Sequence, residues 1–86
     1  MTSPYTTEIF YTQLRNIRLY RGYARQSHTC KKLNISRQVW SLWELGKRKP
    51  LMDQLILLAN FFSIDIGYFF IPGAEPEDYD LLQKMY

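Results

Sequence analysis

The stretch Ser36–Pro50, SRQVWSLWELGKRKP, decides the fold of this chain, because it holds the signals for one short helix and for both of its ends. Ser36 is a good N-cap residue, and Gly46 predicts the C-terminal end of the helix. Three consecutive basic residues, Lys47–Lys49, follow, and Pro50 presets the exit from the loop into another helix. A helix with polar side chains at its N-terminal end and cations beyond its C-terminal end is suited to bind a polyanion such as DNA.

Upstream of this stretch the sequence predicts two helices. Phe10, Leu14 and Ile17 recur at i, i+4 and i+7, which predicts a first helix from a cap at Thr6 or Thr7 to about residue 20. The pattern of residues 25 to 33 is weaker, and we predict a second helix there from its context. The following Asn34 is able to enter the left-handed turn that such a helix end requires.

Downstream, the residues from Met52 to about Phe62 predict a fourth helix, the most hydrophobic part of the chain and the expected centre of the core. Asp65 is placed to cap a short fifth helix that ends near Phe70. An acidic segment follows, with a last helical turn predicted at Tyr79–Met85. The side of the fourth helix expected to be buried consists of Met52, Leu55, Leu58, Ala59 and Phe62.

Charge is distributed very unevenly along the 86 residues, which suffice for one small domain. The net charge is +3, yet ten of the eleven lysines and arginines lie between Arg15 and Lys49, where the single acid is Glu44. That segment carries +9, and residues 50 to 86 carry −5. We expect one face of the domain to attract phosphate and the C-terminal end to repel it.

Several functional classes find no support in the composition. The lone His28 has no second metal ligand nearby, and no combination of nucleophile and base stands out, so we expect no enzyme, metal, cofactor or small-molecule substrate. No apolar run is long enough for a membrane span, and the first residues lack a secretory signal, which predicts a cytoplasmic protein. The single Cys30 is expected to be a small buried hydrophobic residue rather than a redox sensor.

Several short motifs together resemble the lambda repressor and Cro-like helix-turn-helix family, also called the XRE family, over about residues 9 to 70. The motifs are Leu14-Arg15, Gln26, Ile35-Ser36-Arg37, Trp43-Glu44, Gly46-Lys47-Arg48-Lys49-Pro50, Leu55 to Ala59 and Phe61-Phe62. The resemblance implies an all-α fold, a compact five-helix domain at residues 1–71 with the helix-turn-helix at helices 2 and 3. Residues 72–86 would then be an acidic C-terminal tail.

The resemblance also implies the DNA contacts. Helix 3 would lie in the major groove, with Arg37, Gln38, Ser41 and Leu42 offered to base edges. Arg can pair with guanine and Gln with adenine through two hydrogen bonds each, whereas Leu is expected to make apolar contact with a thymine methyl group. The residues expected at backbone phosphates are Gln26, Arg25, Arg15, Lys32, Lys47, Arg48 and Lys49.

The chain departs from the family pattern in the second and third helices. Arg25 stands where the family usually has Thr, and Cys30 where it has a small Ala. Trp40 replaces a smaller β-branched residue, which indicates compensated packing. By their helical spacing, Trp40 and Trp43 are expected in the core rather than stacked on bases. Glu44 is expected to serve the fold or a salt bridge rather than chemistry.

These observations predict a sequence-specific double-stranded DNA-binding transcriptional regulator, a repressor of phage or mobile-element type that acts as a homodimer. The alternative is a helix-turn-helix protein-interaction module, such as an antitoxin or antirepressor. Two interpretations of the aromatic C-terminal region remain open, namely a dimer or partner interface and a segment folded back onto the core. Its members are Tyr68, Phe69, Phe70, Tyr79 and Tyr86, with Leu81 and Leu82.

Overall fold

Short helices make up most of the described chain. A computed structural model describes residues 7–83, with the side chains of residues 7–10 outside the description. In residues 7–83 the chain forms four α-helices and two 3-10 helices, and its one bridge between extended residues joins Ile64 and Asp80. The helices are α1 (Thr7–Tyr20), α2 (Gln26–Leu33), α3 (Arg37–Glu44) and α4 (Met52–Phe62), followed by 3-10 helices at Ile66–Phe70 and Pro76–Asp78.

The two ends of α3 have the predicted geometry. Ser36 is extended, and its Oγ accepts a hydrogen bond of 3.1 Å from the backbone N–H of Val39. After the helix, Gly46 has a φ of +74°, and a Cβ at this position would lie 2.6 Å from the ring of Tyr11. Gly46 therefore meets two requirements, a left-handed backbone and close approach of α1.

Helix α2 is joined to α3 by three residues. Asn34 takes the predicted left-handed conformation, with φ 55° and ψ 45°. The backbone N–H of Ile35 then bonds the carbonyl of Cys30 at 3.1 Å. Cys30 is 6% exposed, as expected for a small buried residue, and its burial raises the pKa of its thiol. Arg25, which precedes α2, is extended and makes no side-chain capping bond.

The core forms where α1, α3, α4 and the first 3-10 helix meet. Trp40 and Trp43 are fully buried with their ring centroids 5.7 Å apart, which confirms that they belong to the core. On α4 the prediction is correct for Leu55, Leu58, Ala59 and Phe62 and wrong for Met52, which is 57% exposed. Met52 opens the first turn of α4, ahead of the part of the helix that packs on the body.

The predicted fifth helix and the predicted C-terminal turn both differ from expectation. Asp65 caps a helix as predicted, since its Oδ1 accepts a 2.9 Å bond from the Gly67 N–H, but that helix is of the 3-10 type. A helical turn was predicted at Tyr79–Met85, but residues 79–81 instead run antiparallel to residues 63–65. The chain then turns at Leu81 and Leu82, and Gln83, the last described residue, has 3-10 helical geometry. The N–H groups of Asp65 and Leu81 bond the carbonyls of Tyr79 and Ser63, at 2.9 and 3.0 Å.

Two interpretations of the C-terminal region were left open, an interface with another chain and a segment folded back onto the core, and the region has features of both. Tyr68 and Phe69 are fully buried, and Tyr79 packs on Tyr68 with ring centroids 6.0 Å apart. Leu81 and Leu82 are 42% and 50% exposed. The segment therefore folds back through Tyr79 and leaves two leucines at the surface. Thr6, Met85, Tyr86 and the side chain of Phe10, all named in the predictions, lie outside the described residues.

Candidate nucleic-acid interface

One shallow groove on the outer face of α3 is lined by Arg37, Gln38, Ser41 and Leu42. Positions i, i+1, i+4 and i+5 of a helix form two adjacent columns, so these side chains share one face. Arg37 and Gln38 are exposed, and Ser41 and Leu42 are half-buried. The structure thus brings the four residues predicted for base readout together on one surface.

The basic loop after α3 is fixed to the end of that helix. The backbone N–H groups of Lys47 and Arg48 donate to the carbonyl of Leu42, at 2.9 and 3.3 Å. The side chains of Lys47, Arg48 and Lys49 are all exposed. Because the loop bonds the helix backbone directly, its cations keep a defined position relative to the groove.

The other residues predicted at phosphates lie on α1 and α2. Arg15, Arg25 and Lys32 are exposed. Gln26 is half-buried, and its Nε2 donates a 3.1 Å hydrogen bond to Oε1 of Glu44. A terminal amide has two N–H donors, so this bond leaves one N–H for a phosphate oxygen. Gln26 nevertheless belongs to the interior network as well, which the prediction did not foresee.

Glu44 accepts hydrogen bonds from three helices. Arg18 of α1 donates from Nε and Nη2 at 2.8 and 3.1 Å, and the indole N–H of Trp40 donates at 2.6 Å. Gln26 of α2 supplies the fourth bond. The side chains of Arg18 and Glu44 are each 6% exposed. The expected structural salt bridge of Glu44 is therefore a buried one, and it fixes α1, α2 and α3 against each other.

Arg21 is a second cation, after Arg18, that belongs to the basic segment but bonds the interior. It binds the C-terminal segment of the chain. Its guanidinium donates to both oxygens of Asp80 and to the carbonyls of Phe62 and Ser63, at 2.7 and 3.1 Å. Tyr20 donates its hydroxyl to Asp80 at 2.9 Å. Asp80 is 2% exposed, and the bonds from Arg21 lower the pKa of its carboxyl from 3.8 to about 2.

Sequence reasoning missed the interior roles of Arg18 and Arg21, although a signal was present. Leu14, Ile17, Arg18 and Arg21 are spaced i, i+3, i+4 and i+7, so both arginines fall on the apolar face of α1. A cation at such a position needs a buried partner, because an unpaired buried charge is very costly. The partners lie 26 and 59 residues away in the sequence, where no local pattern identifies them.

The surface keeps the charge asymmetry even with Arg18 and Arg21 in the interior. Among the described residues, eight exposed cations come from the segment 15–49, and the exposed acids all come from residues 53–78. These cations are Arg15, Arg25, Lys31, Lys32, Arg37, Lys47, Arg48 and Lys49, and these acids are Asp53, Asp65, Glu75, Glu77 and Asp78.

The described residues, 7–83, also bear on other kinds of site. They contain no group of three or more His, Cys, Asp or Glu side chains arranged to hold a metal ion. Within the same range, no helix is long and apolar enough to cross a membrane.

The fold and this surface together define a small all-helical domain that presents one short helix among cations. Among curated proteins the chain is similar to the HTH-type transcriptional activator BcrR of Enterococcus faecalis, with 36% identity over 66 residues. The match covers 71% of this chain and 32% of that protein, so the chain spans about a third of the relative's length. No protein-family profile and no solved structure matches the chain.

Proposed function

We propose that the chain is a sequence-specific double-stranded DNA-binding transcriptional regulator of the XRE helix-turn-helix type. In this proposal α2 and α3 form the helix-turn-helix and α3 is the recognition helix. The observation that carries it is the groove of Arg37, Gln38, Ser41 and Leu42 beside a basic loop bonded to the same helix. The similarity to a protein named as an HTH-type transcriptional activator supports the same class.

Recognition would divide between backbone and bases. Lys47, Arg48 and Lys49 would bind phosphates next to the C-terminal end of α3, and Arg25 and Gln26 those at the N-terminal end of α2. Arg15 and Lys32 would add contacts further out. The α3 side chains would then meet base edges in the major groove, where donor and acceptor patterns distinguish all four base pairs.

The hydrogen-bond network around Glu44 would fix the position of α3 relative to α1 and α2, and so its position in the major groove. Its bonds join Arg18 of α1, Gln26 of α2 and Trp40 of α3 in one buried cluster. A contact that reads bases depends on helices held in fixed register against the phosphates. Glu44 would therefore support recognition from the interior without touching DNA.

We further propose that the protein binds as a homodimer and represses transcription, in the manner of phage or mobile-element regulators. One recognition helix reads few base pairs, and two related by a twofold axis about 34 Å apart provide the specificity that a genome demands. In this scheme residues 1–71 are the DNA-binding unit, and residues 72–86 contribute exposed Leu81 and Leu82 to the dimer. Repression needs only an occupied promoter, whereas activation, named for the relative, needs a further contact.

Selection of bound duplexes from a random pool tests the proposal. We expect enrichment of a palindrome whose half-sites are centred about 10 base pairs or a multiple of that apart. A reporter with the selected site at its promoter then gives the sign of regulation. Equal retention of selected and random duplexes would reject sequence-specific binding.

A second candidate is a protein-interaction module such as an antitoxin or antirepressor. The observation that favours it is the apolar character of half-buried Leu42 in the groove, together with the exposed Leu81 and Leu82. Under this alternative the protein would capture a partner in stoichiometric amount and show no retention on DNA at low salt. Affinity capture with and without nuclease treatment distinguishes the two functions.

A further inference from the structure

Helix α4 carries apolar side chains on a solvent-facing side as well as on its buried side. Met52, Ile56 and Asn60 are spaced i, i+4 and i+8, so they form one column along the helix. Met52 and Ile56 are 57% and 48% exposed, and Asn60 is exposed as well. An exposed apolar surface of this kind usually marks a contact with another molecule.

A groove of about 330 Å³ lies beside this column. One wall is α4, and the others are the residues that follow α4 and the C-terminal segment, which contributes Leu81. The backbone N–H of Leu81 bonds the carbonyl of Ser63, so the walls are joined in the folded chain. We call the column and the groove together the α4 surface, whose residues are Met52, Ile56, Ala59, Asn60, Ile64, Asp65, Ile66 and Leu81.

Charge is nearly absent from the α4 surface. Among the described residues that line the groove, Asp65 is the one charged side chain, and its Oδ1 already accepts the N–H of Gly67. A surface without cations does not attract DNA or an anionic membrane. A twofold contact between identical chains presents the same patch on both sides, so like charges at its centre would repel each other. An uncharged apolar surface avoids this repulsion and therefore suits a second copy of the chain.

Asn60 gives a further reason for a second copy. A side-chain amide carries both donors and an acceptor, so two asparagines related by a twofold axis can exchange hydrogen bonds. A purely apolar partner would instead bury the amide without hydrogen bonds, which is unfavourable. The same residue of a second copy therefore provides a chemically matched partner for Asn60.

The location of the α4 surface is also compatible with a DNA-binding dimer. Met52 comes two residues after Pro50, which closes the basic loop Lys47–Lys49. Two recognition helices must face the same duplex, which requires the two copies to join close to their DNA-binding sides. The column on α4 begins next to the loop that is expected at phosphates.

Building on the homodimer of the proposed function, we propose that the α4 surfaces of two copies pack together about a twofold axis. Ile56 of each copy enters the groove of the other, between α4 and Leu81. The two Asn60 side chains pair near the axis. The dimer contact is then centred on α4, with the C-terminal segment at its edge.

Sedimentation equilibrium of the full chain tests the inference. We expect a reversible wild-type dimer, and Ile56→Asp should raise its dissociation constant at least about tenfold, because two isoleucines lose their burial. Leu57→Asp is the matched control, since Leu57 is 43% exposed and lies about 100° further round the helix. It should leave the dissociation constant unchanged. Circular dichroism establishes that both variants are folded.

A disulfide experiment tests the same contact without a disruptive charge. Asn60→Cys should form a covalent dimer on mild oxidation, because two cysteines beside a twofold axis can approach within bonding distance. Leu57→Cys should stay unlinked under the same conditions on a denaturing gel. The native Cys30 is buried, and oxidation of the wild type measures its background.

DNA binding provides a third measurement. Ile56→Asp should keep the wild-type affinity for a single half-site and lose about tenfold or more on the full palindrome, because the two copies no longer bind as one unit. Leu57→Asp should bind both duplexes as the wild type does.

The outcomes separate this inference from the function on which it builds. A wild type that stays monomeric at every concentration overturns the inference, as does an Ile56→Asp dimer with an unchanged dissociation constant. A monomeric wild type that captures another protein, and loses it in Ile56→Asp, assigns the α4 surface to a different partner and also overturns it. A dimer that depends on Ile56 but binds selected and random duplexes equally supports the inference and overturns the proposed function.

Discussion

Glu44 is the residue on which the relative placement of three helices depends. Its side chain is 6% exposed and accepts bonds from Arg18, Gln26 and Trp40. A buried carboxylate with a guanidinium partner adds little net stability compared with apolar residues, but losing one partner leaves the other charge buried and unpaired. The main energetic effect of losing Glu44 is therefore that the buried charge of Arg18 is left without a partner.

We expect Glu44→Gln to lower the free energy of unfolding by about 3 to 5 kcal/mol, since Arg18 keeps its charge in the interior. Urea denaturation of the purified variant measures this. Glu77→Gln, at an exposed carboxylate, is the matched control and should change stability by less than about 0.5 kcal/mol. The double variant Arg18→Met/Glu44→Leu should be more stable than Glu44→Gln. A Glu44→Gln protein as stable as the wild type would contradict the structural role.

Two glycines share nearly the same left-handed backbone conformation but differ in how much space surrounds them. Their substitution by alanine therefore distinguishes the cost of backbone strain from the cost of steric crowding. Gly46 and Gly73 have φ values of +74° and +72°, but a Cβ at Gly46 would meet the Tyr11 ring at 2.6 Å and one at Gly73 would meet nothing within 4 Å. Gly73→Ala should cost about 1 to 2 kcal/mol from the left-handed conformation alone. Gly46→Ala should cost more, because the ring must also move. Thermal unfolding of both variants measures the two losses of stability. Equal losses would contradict a close approach of α1 to Gly46.

At the scale of elements, local signals predicted α1, α3 and α4, the context predicted α2, and contacts between distant residues determined the rest. Ser36, Asn34 and Asp65 each end or begin a helix through atoms within four residues, and all three were predicted. Arg21 and the run of chain after Tyr79 were not, because the partner of Arg21 is Asp80, 59 residues away. Of the candidate site, the shared face of α3 followed from helical spacing, whereas the bond from Gln26 to Glu44 depends on tertiary packing.

Substitutions in α3 should change the sequence specificity of DNA binding, whereas substitutions in the loop after it should change the overall affinity. Arg37→Ala should lose about 1 to 3 kcal/mol on the selected site and relax preference at one base position. Lys47→Ala should weaken binding to selected and random duplexes alike and lower the slope of log affinity against log salt by about one unit. Fluorescence anisotropy titrations at several salt concentrations measure both. The reverse assignment of effects would show that α3 is not the reading element.

At the scale of the whole molecule, the C-terminal segment and α1 are joined by the Arg21 and Asp80 ion pair. The described domain has a radius of gyration of 12.3 Å, close to the value of about 12 Å expected for a compact chain of this length. Because Arg21 also bonds the carbonyls of Phe62 and Ser63, one guanidinium connects α1, the end of α4 and the tail. The loss of Asp80 would thus affect three parts of the fold together.

The pH dependence of stability should reveal this ion pair. Folding lowers the pKa of Asp80 from 3.8 to about 2, so the folded state binds the proton less tightly than the unfolded state. The stabilisation is therefore present above about pH 5 and is lost as the pH falls through 2.

At pH 7 we expect Asp80→Asn to be less stable than the wild type by about 1 to 3 kcal/mol. Urea denaturation from pH 7 to pH 2 should show that difference shrinking below about pH 4, whereas exposed Asp78→Asn should show little difference at any pH. A gap between wild type and Asp80→Asn that stays constant down to pH 2 would contradict a lowered pKa at Asp80.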